Sequence, residues 1–172
     1  MPIRYTTPIA NLMTPPLDQR IQQCVAEFPE LGDRKITVGL TRSADGTAEA
    51  ESMTIRLNVR PRKPVSCFTI GHELTHLLQR GGLAIVPDGE QQCDVWTLAR
   101  SALFLDDRPS YLCAHLWSRD NWPLHAGPVR QLCLEAIEVR KTNRRYLAWL
   151  RQQLEAAVLT YARDAVRRRR EA

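Results

Sequence analysis

His72 and His76 lie four residues apart, with Glu73 beside the first. On a helix that spacing puts both imidazoles on one face, one turn apart, near enough to share an ion. Zinc favours imidazole nitrogen, and a catalytic zinc takes three protein ligands and leaves a position for water. Glu73 can reach that water rather than the ion, where a general base for peptide hydrolysis must stand. The surrounding stretch, Phe68-Thr-Ile-Gly-His-Glu-Leu-Thr-His-Leu-Leu, is otherwise apolar. Two histidines and a glutamate are costly to bury there without a metal or another partner.

A third ligand is required. Glu90 lies downstream, after a glycine turn that lets the chain reverse, and Asp94 lies one helical turn later on the same face. With Glu90 on the metal, Asp94 can accept a hydrogen bond from the outer nitrogen of a ligand histidine and set its tautomer. The reverse assignment, Asp94 on the metal, is also open, with Glu90 the favoured ligand. Both residues, and Asp88, also fit an acidic first helical turn stabilised by the macrodipole. A donor for the oxyanion of a tetrahedral intermediate is needed as well. Tyr111, His115, His125 and Arg119 have suitable side chains, with Tyr111 and His115 the leading candidates.

The stretch Phe68 to Gln79 resembles the "FTIAHELGHLLLH" segment of the ImmA/IrrE-type metallopeptidases. Glu90-Gln-Gln-Cys-Asp-Val-Trp-Thr is similar to that family's "ExEADxFA" segment, with Glu90, Asp94 and Trp96 in matching places. Thr54 to Val59 resembles its edge strand before the active-site helix. The resemblance spans about Ile36 to Leu105. It implies a zinc cofactor, a gluzincin-like half-domain with an HExxH…E ligand set, and endopeptidase activity. It also implies a protein or peptide substrate, such as a DNA-binding regulator. The chain departs from the pattern in its short spacing from His76 to Glu90 and in Phe104-Leu-Asp-Asp, which replaces the family's "LLMP".

The elements that must position these residues are read from periodicity. Leu17, Ile21, Cys24, Val25 and Phe28 share a helical face after Pro15-Pro16. Ile36, Val38 and Leu40 alternate as in a strand, and Met53, Ile55, Leu57 and Val59 alternate again, as a second strand antiparallel to the first. Ser43 to Thr47 reads as the turn between them. Thr54 to Val59 is then the strand offered to an extended substrate. Ser66 is the expected N-cap of a helix over Phe68 to Arg80, stopped by Gly81-Gly82. Asp88 is the expected cap of a helix from Gly89 towards Leu105. A short helix is expected over Tyr111 to Trp117, with Trp117, Trp122 and Trp149 as packing residues. Gly127-Pro128 starts a last helical region with Leu147, Leu150, Leu154, Val158 and Tyr161 in an apolar stripe.

The expected class is α+β: a small antiparallel sheet packed on the HExxH helix, zincin-like, with a helical C-terminal part. Residues 1–127 are expected to form the metallopeptidase domain, and 128–172 a helical extension packed on it or forming an interface.

The 172 residues, 44% hydrophobic and 25% charged, suffice for a core without covalent staples. Five cysteines without close pairing argue against a disulfide framework and a cysteine zinc knuckle, and they read as buried thiols. No membrane span and no signal peptide is expected, which places the chain in the cytoplasm. The net charge of +5 gathers late, in Arg140, Lys141, Arg144 and Arg145 and in Arg167 to Arg170. These are either solvated faces or a weak nucleic-acid contact. Two other functions compete with the peptidase: a regulatory protein that keeps the metal fold under a self-inhibiting tail, and a nucleic-acid-associated module with a structural metal.

Overall fold

The computed structural model describes residues 2–80 and 82–171, with side chains as far as Thr160. Strand β1 (Ile3–Tyr5) leads into helices α1 (Thr7–Ala10) and α2 (Pro15–Ala26). Strands β2 (Ile36–Leu40), β3 (Gly46–Glu49) and β4 (Thr54–Leu57) follow. Helices α3 (Cys67–Gln79), α4 (Glu90–Arg100), α5 (Trp122–Val139) and α6 (Tyr146–Glu171) complete the chain. Tyr161 and Arg167 to Arg170 lie outside the described side chains, and Gly81 outside the described residues.

The class is α+β, but the sheet is mixed rather than antiparallel. Its order is β1-β2-β4-β3. β1 pairs with β2 in parallel, β2 with β4 in parallel, and only β3 runs antiparallel to β4. The two strands read from alternation are therefore parallel, and β4 is interior. The burial explains the order. Thr54, Ile55 and Leu57 are buried and need cover on both sides, whereas β3 is half exposed along its length and takes the edge. Gly-Thr-Ala-Glu carries no apolar alternation, so the hydrophobic pattern shows only a turn where β3 lies.

α3 is capped twice. Ser66 Oγ accepts from the Thr69 N–H, as its sequence position suggests. Asp106, from a distant loop, accepts from the N–H groups of Cys67 and Phe68 at 2.7 and 2.9 Å. The helix lies between two apolar cores. Ile70, Leu74, Leu77 and Leu78 enter the core shared with α2 and the sheet, whereas Phe68 enters the one built by α4, α5 and α6. Each such fully buried aliphatic side chain contributes about 1.5–3 kcal/mol. Gly71 allows the close approach of the 3-10 turn Ala102–Leu105: a Cβ there would meet the Phe104 ring at 2.7 Å.

Several boundaries differ from expectation. α4 ends at Arg100, where extended Ser101 turns its hydroxyl onto the Leu103 N–H and starts a 3-10 turn. Its N-cap is Gly89, at φ 117°, while Asp88 faces Arg80 instead. The helix expected over Tyr111 to Trp117 shrinks to a 3-10 turn at Ala114–Leu116. α5 begins before Pro128, at Trp122, with Pro123 in its first turn. The Trp122 indole, bonded to the Leu105 carbonyl and packed on Trp117, anchors that turn. Pro128 is tolerated inside the helix on its exposed face. The five cysteines are free and buried, as expected. No helix among the described residues is long and apolar enough to cross a membrane.

Candidate metal centre

The site forms where α3, the N-terminal turn of α4, edge strand β3 and the Ser110–Tyr111 segment meet. They line a cavity of about 670 Å³ whose wall includes Gly46, His72, Glu73, His76, Gln79, Glu90 and Tyr111. The two histidines project from successive turns of α3, with ring centroids 4.9 Å apart. Their Nε2 atoms converge on one oxygen of Glu90, at 3.0 Å from His72 and 3.2 Å from His76.

The opposite edges of both rings are held by the protein. Asp94 is fully buried. Its Oδ1 lies 2.9 Å from His72 Nδ1, and its Oδ2 accepts the backbone N–H groups of Tyr111 and Leu112 at 2.7 Å each. A carboxylate that serves as acceptor throughout requires the proton on Nδ1, which turns the other nitrogen of His72 to the cavity. Gln79 Oε1 faces His76 Nδ1 at 2.8 Å, and the Gln79 amide nitrogen donates to the carbonyls of Pro87 and Gly89. The two carboxylates left open by spacing thus take different places: Glu90 faces both Nε2 atoms, and Asp94 stands behind His72.

A second donor group shares the histidines. His72, His76 and Cys93 each offer a ligand atom, all within 4.8 Å of one another. Cys93 faces Nδ1 of His76 at 3.2 Å, the edge already bonded to Gln79, and it is fully buried. Cys93 is absent from the lining residues of the cavity, whereas Glu90 is among them. The donor set that opens on space for a substrate is therefore His72, His76 and Glu90. Two imidazole nitrogens and a carboxylate on one point are a donor set that fits a catalytic zinc site.

The electrostatics follow from burial and neighbours. Burial works against the charged form of His72, but hydrogen bonds with Asp94 and Glu90 outweigh it and push its pKa up to about 9. Burial raises Glu73 to about 7, with His72 opposing and Glu90 assisting. The carboxyl group is thus poised to take and return a proton near neutrality. Glu90 is held below its ordinary value, chiefly by the hydrogen bond to His72.

Tyr111 reaches the site and His115 does not. The Tyr111 ring stacks on His72, with centroids 5.7 Å apart at 24°, and remains 48% exposed to the cavity side. Burial, then the charges of Glu90 and Asp94, raise its phenol and keep the proton on it. His115 is exposed on the 3-10 turn, and Arg119 is exposed beyond it; neither lines the cavity. His125 is buried beside Trp117.

Gln79 and Gly46 escaped the sequence reading. Gln79 had a signal: three residues after His76, it shares a helical face with it. Gly46 had none. A Cβ at Gly46 would lie 2.5 Å from Glu73 Oε1, so this edge-strand glycine makes room for the carboxylate. No protein-family model, curated protein or solved structure matches the chain, so what this site can do follows from its own donors and distances.

Proposed function

We propose that this chain is a zinc-dependent endopeptidase with a gluzincin-like centre, in which His72, His76 and Glu90 hold the metal and Glu73 is the general base. The observation that carries this reading is the convergence of both Nε2 atoms on the Glu90 carboxylate, with both Nδ1 atoms tied back into the protein. When bound, zinc would polarise a peptide carbonyl and activate a water. Glu73 would accept the proton and pass it to the departing amine. The Tyr111 phenol, protonated and stacked on His72, would donate a hydrogen bond to the developing oxyanion. Edge strand β3, rather than β4, would pair with an extended substrate along the cavity.

The resemblance to ImmA/IrrE-type peptidases would imply a protein or peptide substrate, such as a DNA-binding regulator. The self-inhibited alternative has no support from position: α6 packs on α5 through Leu150 and Leu154, and none of its described residues lines the cavity. The test combines metal analysis with cleavage of an unfolded protein. Wild type should carry zinc, His76→Ala should lose it, and Glu73→Gln should keep it while turnover falls about 10²–10⁴-fold. Equal zinc in wild type and His76→Ala would remove the ligand assignment. Capture of bound proteins by Glu73→Gln in cells would then identify the substrate.

A further inference from the structure

We infer that Gln79 is a positioning residue: its one amide sets the tautomer of His76 and ties down the loop that delivers Glu90. The inference starts from what the amide must do. The carbonyls of Pro87 and Gly89 can only accept hydrogen bonds. The Gln79 atom that faces them, at 2.6 and 3.1 Å, must therefore be the NH₂ group. That leaves Oε1 against His76 Nδ1 at 2.8 Å. An oxygen acceptor there requires a proton on Nδ1, which leaves Nε2, 3.2 Å from Glu90, as the nitrogen that can give up its proton to a metal.

The same amide spans two parts of the site that are far apart in the backbone. Its oxygen holds a ligand on α3. Its nitrogen holds the carbonyl of Gly89, the residue immediately before Glu90 at the start of α4. Gln79 is itself buried, so solvent does not compete for these bonds. It stands to His76 as Asp94 stands to His72, but it is neutral. A second carboxylate at this place would add negative charge beside Glu73 and Glu90 and would repel the two carbonyls. The amide orients the ring without either cost. The consequence for zinc rests on the peptidase reading; the tautomer of His76 does not.

The test is nitrogen-15 NMR of the histidine rings in metal-free Glu90→Ala protein, which lacks the competing acceptor at Nε2, at a pH where the His76 ring is neutral, together with the zinc affinity, by chelator competition, of chains that keep Glu90. With Gln79 intact in that background, His76 should be protonated on Nδ1. Gln79→Leu should lose that preference, and its zinc Kd should rise about 10–100-fold. Gln79→Glu keeps an acceptor for Nδ1 but no donor for the loop. It should retain the tautomer while the amides of Glu90 and Gln91 exchange faster with solvent. His76 protonated on Nε2 in the Glu90→Ala chain with Gln79 intact would overturn the inference even if Gln79→Leu failed to fold. So would an unchanged tautomer and a zinc Kd within twofold in Gln79→Leu. An Nδ1 proton in the Glu90→Ala chain beside a wild type that takes no zinc would remove the peptidase reading and leave the hold of Gln79 on His76 standing.

Discussion

Glu73 is held between opposing demands. It is buried beside His72, and under the proposed function its carboxyl group must also move a proton. Gly46 is the residue that reconciles them, because only a missing side chain leaves space for the carboxylate against β3. In Gly46→Ala the new Cβ would displace the carboxylate or push β3 away, since the approach of 2.5 Å is far inside contact distance. A misplacement of about 1 Å at a reacting group can cost about 10²-fold in rate. Gly46→Ala should therefore retain zinc and lose roughly 10–100-fold in kcat/KM. Activity within twofold of wild type would show that Glu73 is not confined by the edge strand.

At the scale of elements, the site is a junction of α3, α4 and the segment after Pro109. Asp94 is the knot, since one buried carboxylate on α4 bonds a ring on α3 and two backbone N–H groups at Tyr111 and Leu112. The segment ends at Cys113, which holds φ 49°, a conformation uncommon outside glycine. Such a backbone persists where its surroundings over-determine it, and the two bonds to Asp94 do so. Asp94→Asn replaces an acceptor oxygen with an NH₂ group that must face a donor. Breaking the buried network should cost about 3–5 kcal/mol in stability. Zinc affinity should fall about 10–100-fold. The fluorescence or NMR signature of Tyr111 should change with it; a Tyr111 environment unmoved in this variant would separate the aromatic ring from the hold of Asp94 on His72.

For the whole molecule, the site and the fold are linked through pH. His72 is raised from 6.5 to about 9 and Glu73 from 4.5 to about 7. Both pKa values lie above their ordinary values, so the folded state binds protons more tightly than the unfolded chain. The contribution of Glu73 is complete below 4.5 and is lost as the pH rises through about 7. That of His72 is complete below 6.5 and is lost through about 9. Chelator-treated protein should therefore lose thermal stability between pH 6.5 and 9. His72→Ala should flatten the slope over the upper part of that range. A Tm that rises across it would contradict this linkage. Zinc should reverse the trend, because it competes with protons for the His72 ring and binds more tightly as they leave.

What the amino-acid sequence determined by itself is the local chemistry: two histidines and a glutamate on one apolar helix, the Ser66 cap, the buried cysteines and the α+β class. Those features depend on spacing within a turn or two of backbone, which periodicity records. Only the tertiary structure decided which carboxylate faces which ring nitrogen, that Tyr111 rather than His115 borders the cavity, and that β4 is interior while β3 is the edge. Each of these depends on where segments distant in the chain come to rest. An edge strand of Gly-Thr-Ala-Glu buries too little to leave a hydrophobic signature. Glu90 and Asp94 look alike from spacing because one helical turn separates them on the same face. Their difference arises from the loop pinned by Gln79 on one side and from the backbone of Tyr111 and Leu112 on the other.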